Sequence, residues 1–152
     1  MTEVLFYHLS EKRLEDVLPG LLEKCLERQW TVVVQSVSES HMQALDAHLW
    51  SWNRDGFLPH GCERDGMEAM QPVWLTCEQD NLNNGNVRFM VEGAQPPDLS
   101  TYTRGIYIFD GHNADELAIA RERWKAEKNA GHDVTYWQQN TRGGWDKKEK
   151  AR

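Results

Sequence analysis

Short apolar segments rich in β-branched and aromatic residues alternate along this chain with segments of helical periodicity. Residues 4–9 (VLFYHL) and 31–35 (TVVVQ) predict buried strands. Between them, apolar residues at helical spacing from Leu14 to Leu26 predict an amphipathic helix that ends near Arg28. Strands that alternate with helices are typical of an α/β domain with a largely parallel sheet and helices on both faces.

The rest of the chain continues this pattern up to residue 139. Ser38 is predicted to cap a helix that reaches Trp50, and Asn113 to cap a helix that ends before Gly131. Pro19 falls inside the first helical pattern, so that helix either kinks or begins there. We expect residues 1–139 to form one domain, with further strands at 72–77, 87–91, 105–109 and 134–137, a loop at 53–70 and a polar basic tail at 140–152.

Composition excludes several classes of protein. The 152 residues suffice for one domain with a real core, and 39% hydrophobic with 27% charged residues fits a globular chain. No apolar run approaches the roughly 20 residues that span a bilayer, so no membrane contact is expected. Three widely spaced cysteines do not suggest a disulfide framework. A reducing cytoplasm is therefore the expected compartment.

The net charge of −7 is unevenly distributed along the chain. Residues 1–119 hold 8 Lys/Arg against 19 Asp/Glu, whereas residues 120–152 hold 9 against 5. An acidic body repels a DNA backbone, so strong direct nucleic-acid binding is not expected. The basic end favours an acidic peptide as partner, although a solvated basic tail is an open alternative.

The basic end contains a helix face that combines cations with an indole. Arg121, Trp124, Lys125 and Lys128 fall at i, i+3, i+4 and i+7, so they share one face. A face directed at the core does not carry three permanent charges, so we expect this face, including Trp124, to be exposed. An aromatic ring flanked by cations suits an anionic partner that also buries an apolar side chain.

Motifs for cofactor or metal chemistry are weak. Neither GxGxxG nor GxxxxGK[ST] occurs, and the first predicted strand is followed by Ser10-Glu11-Lys12 rather than by a glycine-rich phosphate cradle. His60-x-Cys62 with Cys77 lacks the paired spacings of a zinc site. We therefore expect no cofactor, no bound nucleotide and no metal. Asp110-Gly111-His112 follows a predicted strand and is interpreted as a turn rather than as a catalytic loop.

Several blocks of sequence resemble one protein family. They are Phe6-Tyr7-x-Leu9, Leu45-x3-Leu49-Trp50, the FLPH segment at 57–60, and ARERWK at 120–125 followed by Ala130-Gly131. Together they resemble the chi subunit of bacterial DNA polymerase III holoenzyme, an accessory protein of the clamp loader. The resemblance runs nearly from end to end. It implies a three-layer α/β domain that resembles mononucleotide-binding folds and has neither a nucleotide site nor catalytic activity.

The resemblance also implies partners and a binding site. Chi-family proteins bind the acidic C-terminal tail of single-stranded-DNA-binding protein and, where a psi subunit exists, connect that protein to the clamp loader. Leu117 stands at a position that can be lysine in the family, and Trp124 stands where tyrosine can occur. The tail contacts implied by the family are a hydrophobic pocket walled by Trp50 and Phe57, and the helix residues Arg121, Trp124, Lys125 and Lys128.

Two other functions are open at this point. A small α/β enzyme could use the Asp110–His112 loop, or His60 together with a cysteine. A single-strand binder could stack bases on exposed tryptophans, but it needs a basic groove, which the acidic body does not favour. An interaction module is the interpretation that the residues and the resemblance support together.

Overall fold

A computed structural model describes residues 2–51, 61–62, 72–79, 81, 85–142 and 144–148 of the chain. Three α-helices lie in these ranges, and none of them is long and apolar enough to cross a bilayer. The helices are α1 (Leu14–Glu27), α2 (Glu39–Ser51) and α3 (Ala114–Asn129). The strands are β1 (Glu3–Leu9), β2 (Val32–Gln35), β3 (Gly61–Cys62), β4 (Val73–Thr76), β5 (Val87–Val91), β6 (Arg104–Asp110), β7 (Asp133–Gln139) and β8 (Trp145–Lys148).

The described strands form one sheet with the order β3-β4-β2-β5-β6-β1-β7-β8. All neighbours pair in parallel except β7 and β8, which are antiparallel. The chain leaves β1 through α1 toward β2 and leaves β6 through α3 toward β7, on the other side of β1. The adjacent carboxyl ends of β1 and β6 therefore form a topological switch point.

Helices cover both faces of this sheet. One apolar cluster joins α1 and α2 to the first face through residues such as Leu18, Leu45 and Phe89. A second cluster joins α3 to the opposite face through Phe6 and Trp124, among others. The predicted α/β architecture with a largely parallel sheet and helices on both faces is confirmed.

Helix α1 continues through Pro19 and begins five residues earlier, at Leu14. Proline has no N–H to donate to the carbonyl four residues before it. That carbonyl belongs to Glu15, and His48 of α2 donates to it through Nε2 at 2.8 Å. The Glu15 carbonyl, which Pro19 leaves without its helical donor, therefore accepts a hydrogen bond that joins α1 to α2.

The structure adds two strands to those predicted. The short β3 lies in the segment expected to be a loop, and β8 lies in the segment expected to be a polar tail. Trp145 of β8 packs edge-on against Tyr7, with ring centroids 4.9 Å apart. Residues 145–148 thus belong to the sheet and extend it by one antiparallel edge strand.

Candidate functional site

Helix α3 carries four of the predicted site residues, and both of its ends are capped. Asn113 accepts hydrogen bonds from the backbone N–H groups of Asp115 and Glu116 at 3.0 and 3.1 Å, as the sequence predicts. Glu116 does not complete a capping box with Asn113. Its carboxylate accepts instead from the N–H of Asp110, at 3.0 Å, which fixes the turn that enters the helix.

The carboxyl end of α3 is a Schellman motif. Gly131 has a φ of 86°, and its N–H donates to the carbonyl of Lys128 at 3.1 Å. The N–H of His132 donates to the carbonyl of Glu127 at 3.2 Å. A side chain at position 131 would be strained at this φ, so the predicted role of Gly131 is confirmed.

The cations of α3 are exposed, but its tryptophan is not. Arg121, Lys125 and Lys128, which we call the α3 cation row, all lie at the surface. Trp124 retains only 7% of its accessible surface, so the expectation that it is exposed was wrong. Positions i, i+3, i+4 and i+7 spread over roughly 100° of helix circumference, and Trp124 lies at the buried end of that arc.

Trp124 is held between aromatic rings and a cation. It meets Phe6 and Tyr136 edge-on, with ring centroids 5.4 and 5.6 Å away. The Lys128 ammonium lies 5.7 Å from the centroid of the indole ring. A cation–π contact of this kind is worth on the order of 0.5–1 kcal/mol at an exposed site. Trp124 therefore packs α3 against the sheet, and its ring also contacts the Lys128 ammonium.

A buried polar network fastens the other side of α3 to the sheet. The Tyr107 hydroxyl donates to the Glu127 carboxylate at 2.5 Å, and Arg123 donates to both groups, at 3.0 and 3.1 Å. His132 lies 3.7 Å from the second oxygen of Glu127. Burial and the adjacent Glu127 raise the pKa of Tyr107, so its hydroxyl stays protonated and donates. Sequence reasoning missed this network, because partners on different elements leave no local pattern.

Tyr136 of β7 packs against Trp124 on the face of the sheet that α3 covers. Its hydroxyl is 2.6 Å from Nδ1 of His8, and its ring is half-buried. Burial raises the pKa of Tyr136 to about 12, while the positive charge of Arg121 acts in the opposite direction.

The remaining two predicted site residues are not brought to α3 by the described structure. Phe57 lies outside the described residues. Trp50 lies in the last turn of α2, which packs on the opposite face of the sheet from α3, and its side chain is not described. The pocket wall that the resemblance implies for these two residues stays a prediction.

The turn after β1 is closed by a side chain of the protein itself. The carboxamide oxygen of Gln139 accepts from the backbone N–H groups of Ser10, Glu11 and Lys12, at 3.3, 2.9 and 2.9 Å. The Ser10 hydroxyl donates to the backbone carbonyl of Gln139 at 2.6 Å. In nucleotide-binding sheets, N–H groups at this position cradle a phosphate. Here they already have an acceptor, which agrees with the absence of a glycine-rich turn from the sequence.

A cavity of about 240 Å³ opens at the switch point beside this turn. Five carboxylates line it, together with Lys12 and Arg13, and their negative charge does not favour a phosphate. Burial raises the pKa of Glu116, and the charges of Asp110 and Glu92 act in the same direction. The five carboxylates are Glu11, Glu15, Glu92, Asp110 and Glu116.

The Asp110–His112 segment forms the turn that the sequence favours. Asp110 accepts from the N–H of His112 at 2.9 Å, and His112 donates through Nε2 to the Ser10 carbonyl at 2.8 Å. Asp110 thus closes its own turn, and His112 holds the β6–α3 connection against the β1–α1 turn. His60 lies outside the described residues, and no cluster of three potential metal ligands occurs among those the structure describes.

Together these features define a class of protein. The chain is a three-layer α/β domain with a largely parallel sheet, in which the backbone N–H groups of the turn after β1 are bonded to the Gln139 side chain rather than left open to a ligand. It presents instead a row of cations on the helix that covers one face of the sheet.

The chain belongs to the family described as DNA polymerase III chi subunit, HolC, whose family model matches residues 1–135. It is similar to the probable DNA polymerase III subunit chi of Rickettsia prowazekii (strain Madrid E), with 27% identity over 158 residues. That alignment covers 97% of this chain and 92% of the relative. The protein is thus an accessory subunit of the DNA replication machinery, and the resemblance noted in the sequence is confirmed.

Proposed function

We propose that this chi-family protein binds the acidic C-terminal tail of single-stranded-DNA-binding protein and links that protein to the polymerase III clamp loader. The observation that carries the proposal is the α3 cation row, three exposed positive charges on a chain whose net charge is −7. The helix that carries them is fixed by Trp124 and by the Tyr107–Glu127 hydrogen bond. Because the helix is held in place, the positions from which the three cations project are set before an acidic peptide binds.

The expected affinity for the tail follows from the size of its individual free-energy contributions. Burying an apolar side chain of the tail contributes on the order of 1.5–3 kcal/mol. A charge-assisted hydrogen bond from Arg121 or Lys125 to the terminal carboxylate contributes about 1.5–3 kcal/mol where water is excluded. Ordering a disordered tail costs a few kcal/mol, so binding in the micromolar range is expected.

Trp50 and Phe57 remain proposed as walls of a hydrophobic pocket, on the strength of the family resemblance. A psi subunit, or another clamp-loader component, is the proposed second partner. As a subunit of the replication machinery, the protein is expected to act in the cytoplasm. No catalytic activity of its own is proposed, because Asp110 and His112 are both engaged in backbone hydrogen bonds of the turn.

A fluorescence titration distinguishes this function from the two alternatives. The unaltered chain is titrated with an acidic peptide that ends in Pro-Phe, and in parallel with single-stranded oligonucleotide at the same ionic strength. We expect saturable peptide binding with a Kd in the micromolar range and much weaker oligonucleotide binding. A matched peptide with the same composition in scrambled order controls for nonspecific attraction. Preferential oligonucleotide binding, or equal binding of both peptides, would contradict the proposal.

A further inference from the structure

Three aromatic side chains lie partly exposed on the face of the sheet that α1 and α2 cover. The strand register places Trp137 of β7 beside Tyr7 of β1, and Lys147 of β8 beside Trp137. Tyr7 packs against the apolar cluster of α1 and α2, so its register partners share that face. Trp145 meets Tyr7 edge-on, with ring centroids 4.9 Å apart. All three aromatic side chains are only half-buried.

The outer two strands are poorly covered on this face. Among the described residues, β7 and β8 contribute only Trp145 to the apolar packing of α1 and α2. Helix α1 packs on β6, and the strand order continues from β6 through β1 to β7 and β8. At about 4.8 Å between neighbouring strands, β7 and β8 lie roughly 10–15 Å from β6. Neighbouring helices pack about 8–10 Å apart, so these two strands leave room for one more helix beside α1.

The side of α1 that faces these strands is apolar and ends in a cation. At about 100° per residue, Val17, Leu21 and Lys24 project to one side of the buried line through Leu18. Glu15 projects to the other side, and its carbonyl bonds to α2. Because α2 packs on β4, toward the opposite end of the sheet from β8, the side with Val17 faces β7 and β8. Val17 and Leu21 are only partly buried.

These residues form one continuous surface. We call it the α1–β8 face, with Val17 and Leu21 as its wall and Tyr7, Trp137 and Trp145 as its floor. An apolar sheet surface beside a helix is the arrangement that a further helix completes in layered α/β structures. Tryptophan and tyrosine are also the side chains most enriched among residues that dominate binding at protein interfaces.

Cations border the α1–β8 face. Lys24 and Lys147 are exposed and lie on its two sides. Asp133, at the start of β7, lies four residues before the register position of Lys147, which is roughly 13 Å along the strand. Both outer strands belong to residues 120–152, which hold 9 Lys/Arg against 5 Asp/Glu. An apolar segment flanked by Asp or Glu therefore complements this face, whereas a basic segment is repelled by it.

We propose that the α1–β8 face binds an amphipathic helix of another polymerase III subunit. The apolar stripe of that helix packs on Trp137 and Trp145, and its Asp or Glu side chains lie beside Lys147 and Lys24. This inference deepens the link to the clamp loader and in that respect rests on the proposed function, but it does not depend on where the tail binds. The α3 cation row lies on the opposite face of the sheet, so both partners can be bound at once.

Footprinting of the purified polymerase III holoenzyme that contains this subunit tests the location. Hydroxyl radicals oxidise the tryptophans that solvent reaches, and mass spectrometry locates the products. We expect Trp137 and Trp145 to be oxidised several times more slowly in the holoenzyme than in the free chain. Unchanged oxidation of both overturns the proposal. Equal protection by single-stranded oligonucleotide, or by a high concentration of the free chain alone, also overturns it, because the occupant is then nucleic acid or a second copy.

Carbodiimide crosslinking of the same holoenzyme tests the chemistry of the occupant. This reagent joins a lysine directly to a carboxylate that contacts it. Crosslinks from Lys147 or Lys24 to Asp or Glu in a helical segment of another subunit are expected. Protected tryptophans without any such crosslink would mean that the covering segment is not an acidic helix.

A pair of matched variants provides a further test. Lys147→Glu reverses the charge at the α1–β8 face and is expected to weaken binding to holoenzyme that lacks this subunit at least about tenfold. Lys12→Glu makes the same change at an exposed cation beside the switch-point cavity, and is expected to leave that affinity within about twofold. Fluorescence anisotropy of the labelled chain measures binding, and melting curves verify folding. Equal affinities of the two folded variants overturn the proposal.

Titration with the acidic peptide ending in Pro-Phe separates this proposal from tail binding. Lys147→Glu is expected to bind that peptide as tightly as the unaltered chain does. If the unaltered chain binds the holoenzyme through the α1–β8 face but not the peptide, tail binding fails and the helix site stands. If it binds both and the two tryptophans stay unprotected, only the helix site is wrong. If it does not bind the holoenzyme at all, the proposed link to the clamp loader fails.

Discussion

Trp124 is the residue at which sequence and structure disagree most instructively. A stripe of three cations predicts exposure, yet one residue in that stripe turns into the aromatic cluster with Phe6 and Tyr136. The stripe spans roughly 100° of helix, which is wide enough for one edge to be buried while the other is solvated. Its indole is buried between α3 and the sheet, so Trp124 affects peptide binding by holding α3 in position.

Replacing Trp124 tests whether its side chain stabilises the fold or instead lies exposed for contact with a partner. Trp124→Ala removes a buried indole and is expected to lower the free energy of unfolding by about 3–5 kcal/mol. Arg121→Ala removes an exposed side chain, so its effect on that free energy is expected to stay within about 0.5 kcal/mol. Urea unfolding of both variants measures the difference. A Trp124→Ala variant as stable as Arg121→Ala would mean that this side chain is not part of the core.

At the scale of elements, Gln139 connects the end of β7 to the β1–α1 turn. One carboxamide oxygen accepts from three consecutive N–H groups, of Ser10, Glu11 and Lys12. Gln139 is buried, so few water molecules are available to replace it. The contact links β7 to the turn at the switch point of the sheet and gives these three N–H groups a neutral acceptor.

Replacing the Gln139 side chain by one without an acceptor should lower the free energy of unfolding. A replacement that keeps an oxygen at this place should recover part of that loss. Gln139→Leu keeps most of the side-chain volume but leaves N–H groups without an acceptor, at a cost of about 1–3 kcal/mol for each one that stays buried. Gln139→Glu retains an oxygen at the same distance along the side chain and is expected to be more stable than Gln139→Leu. Chemical unfolding of both variants gives the comparison. Equal stability of the two would show that the hydrogen bonds contribute nothing.

The elements differ in how far the sequence could predict them. β5 and both ends of α3 were predicted well because apolar pattern and capping residues act locally. β8 was missed because Trp145 is followed by Asp146 and Lys147, and its strand conformation depends on pairing with β7. Within the site, the cation row was visible in the helical period. Tyr136 and the Tyr107–Glu127 bond were not, because only the sheet register brings them to α3.

At the scale of the whole molecule, charge is separated along the chain. The first 119 residues carry a net charge of −11 (8 Lys/Arg against 19 Asp/Glu), and residues 120–152 carry +4 (9 against 5). The cation row lies in that basic part, on the face of the sheet covered by α3. An acidic partner is therefore attracted to one region and repelled by the rest, which orients it as it approaches.

The salt dependence of peptide affinity, measured for the unaltered chain, Arg121→Glu and Lys24→Glu, tests most directly whether the α3 cations bind the acidic tail. Lys24 is an exposed cation of α1 on the opposite face and serves as the charge-matched control. Screening shortens the Debye length from roughly 10 Å at 0.1 M salt to about 3 Å at 1 M. We expect the unaltered chain and Lys24→Glu to lose affinity as salt rises, and Arg121→Glu to bind at least about tenfold more weakly at low salt, equivalent to about 1.4 kcal/mol. An affinity that is independent of salt and equal in the two variants would mean that the α3 cations do not bind the acidic tail.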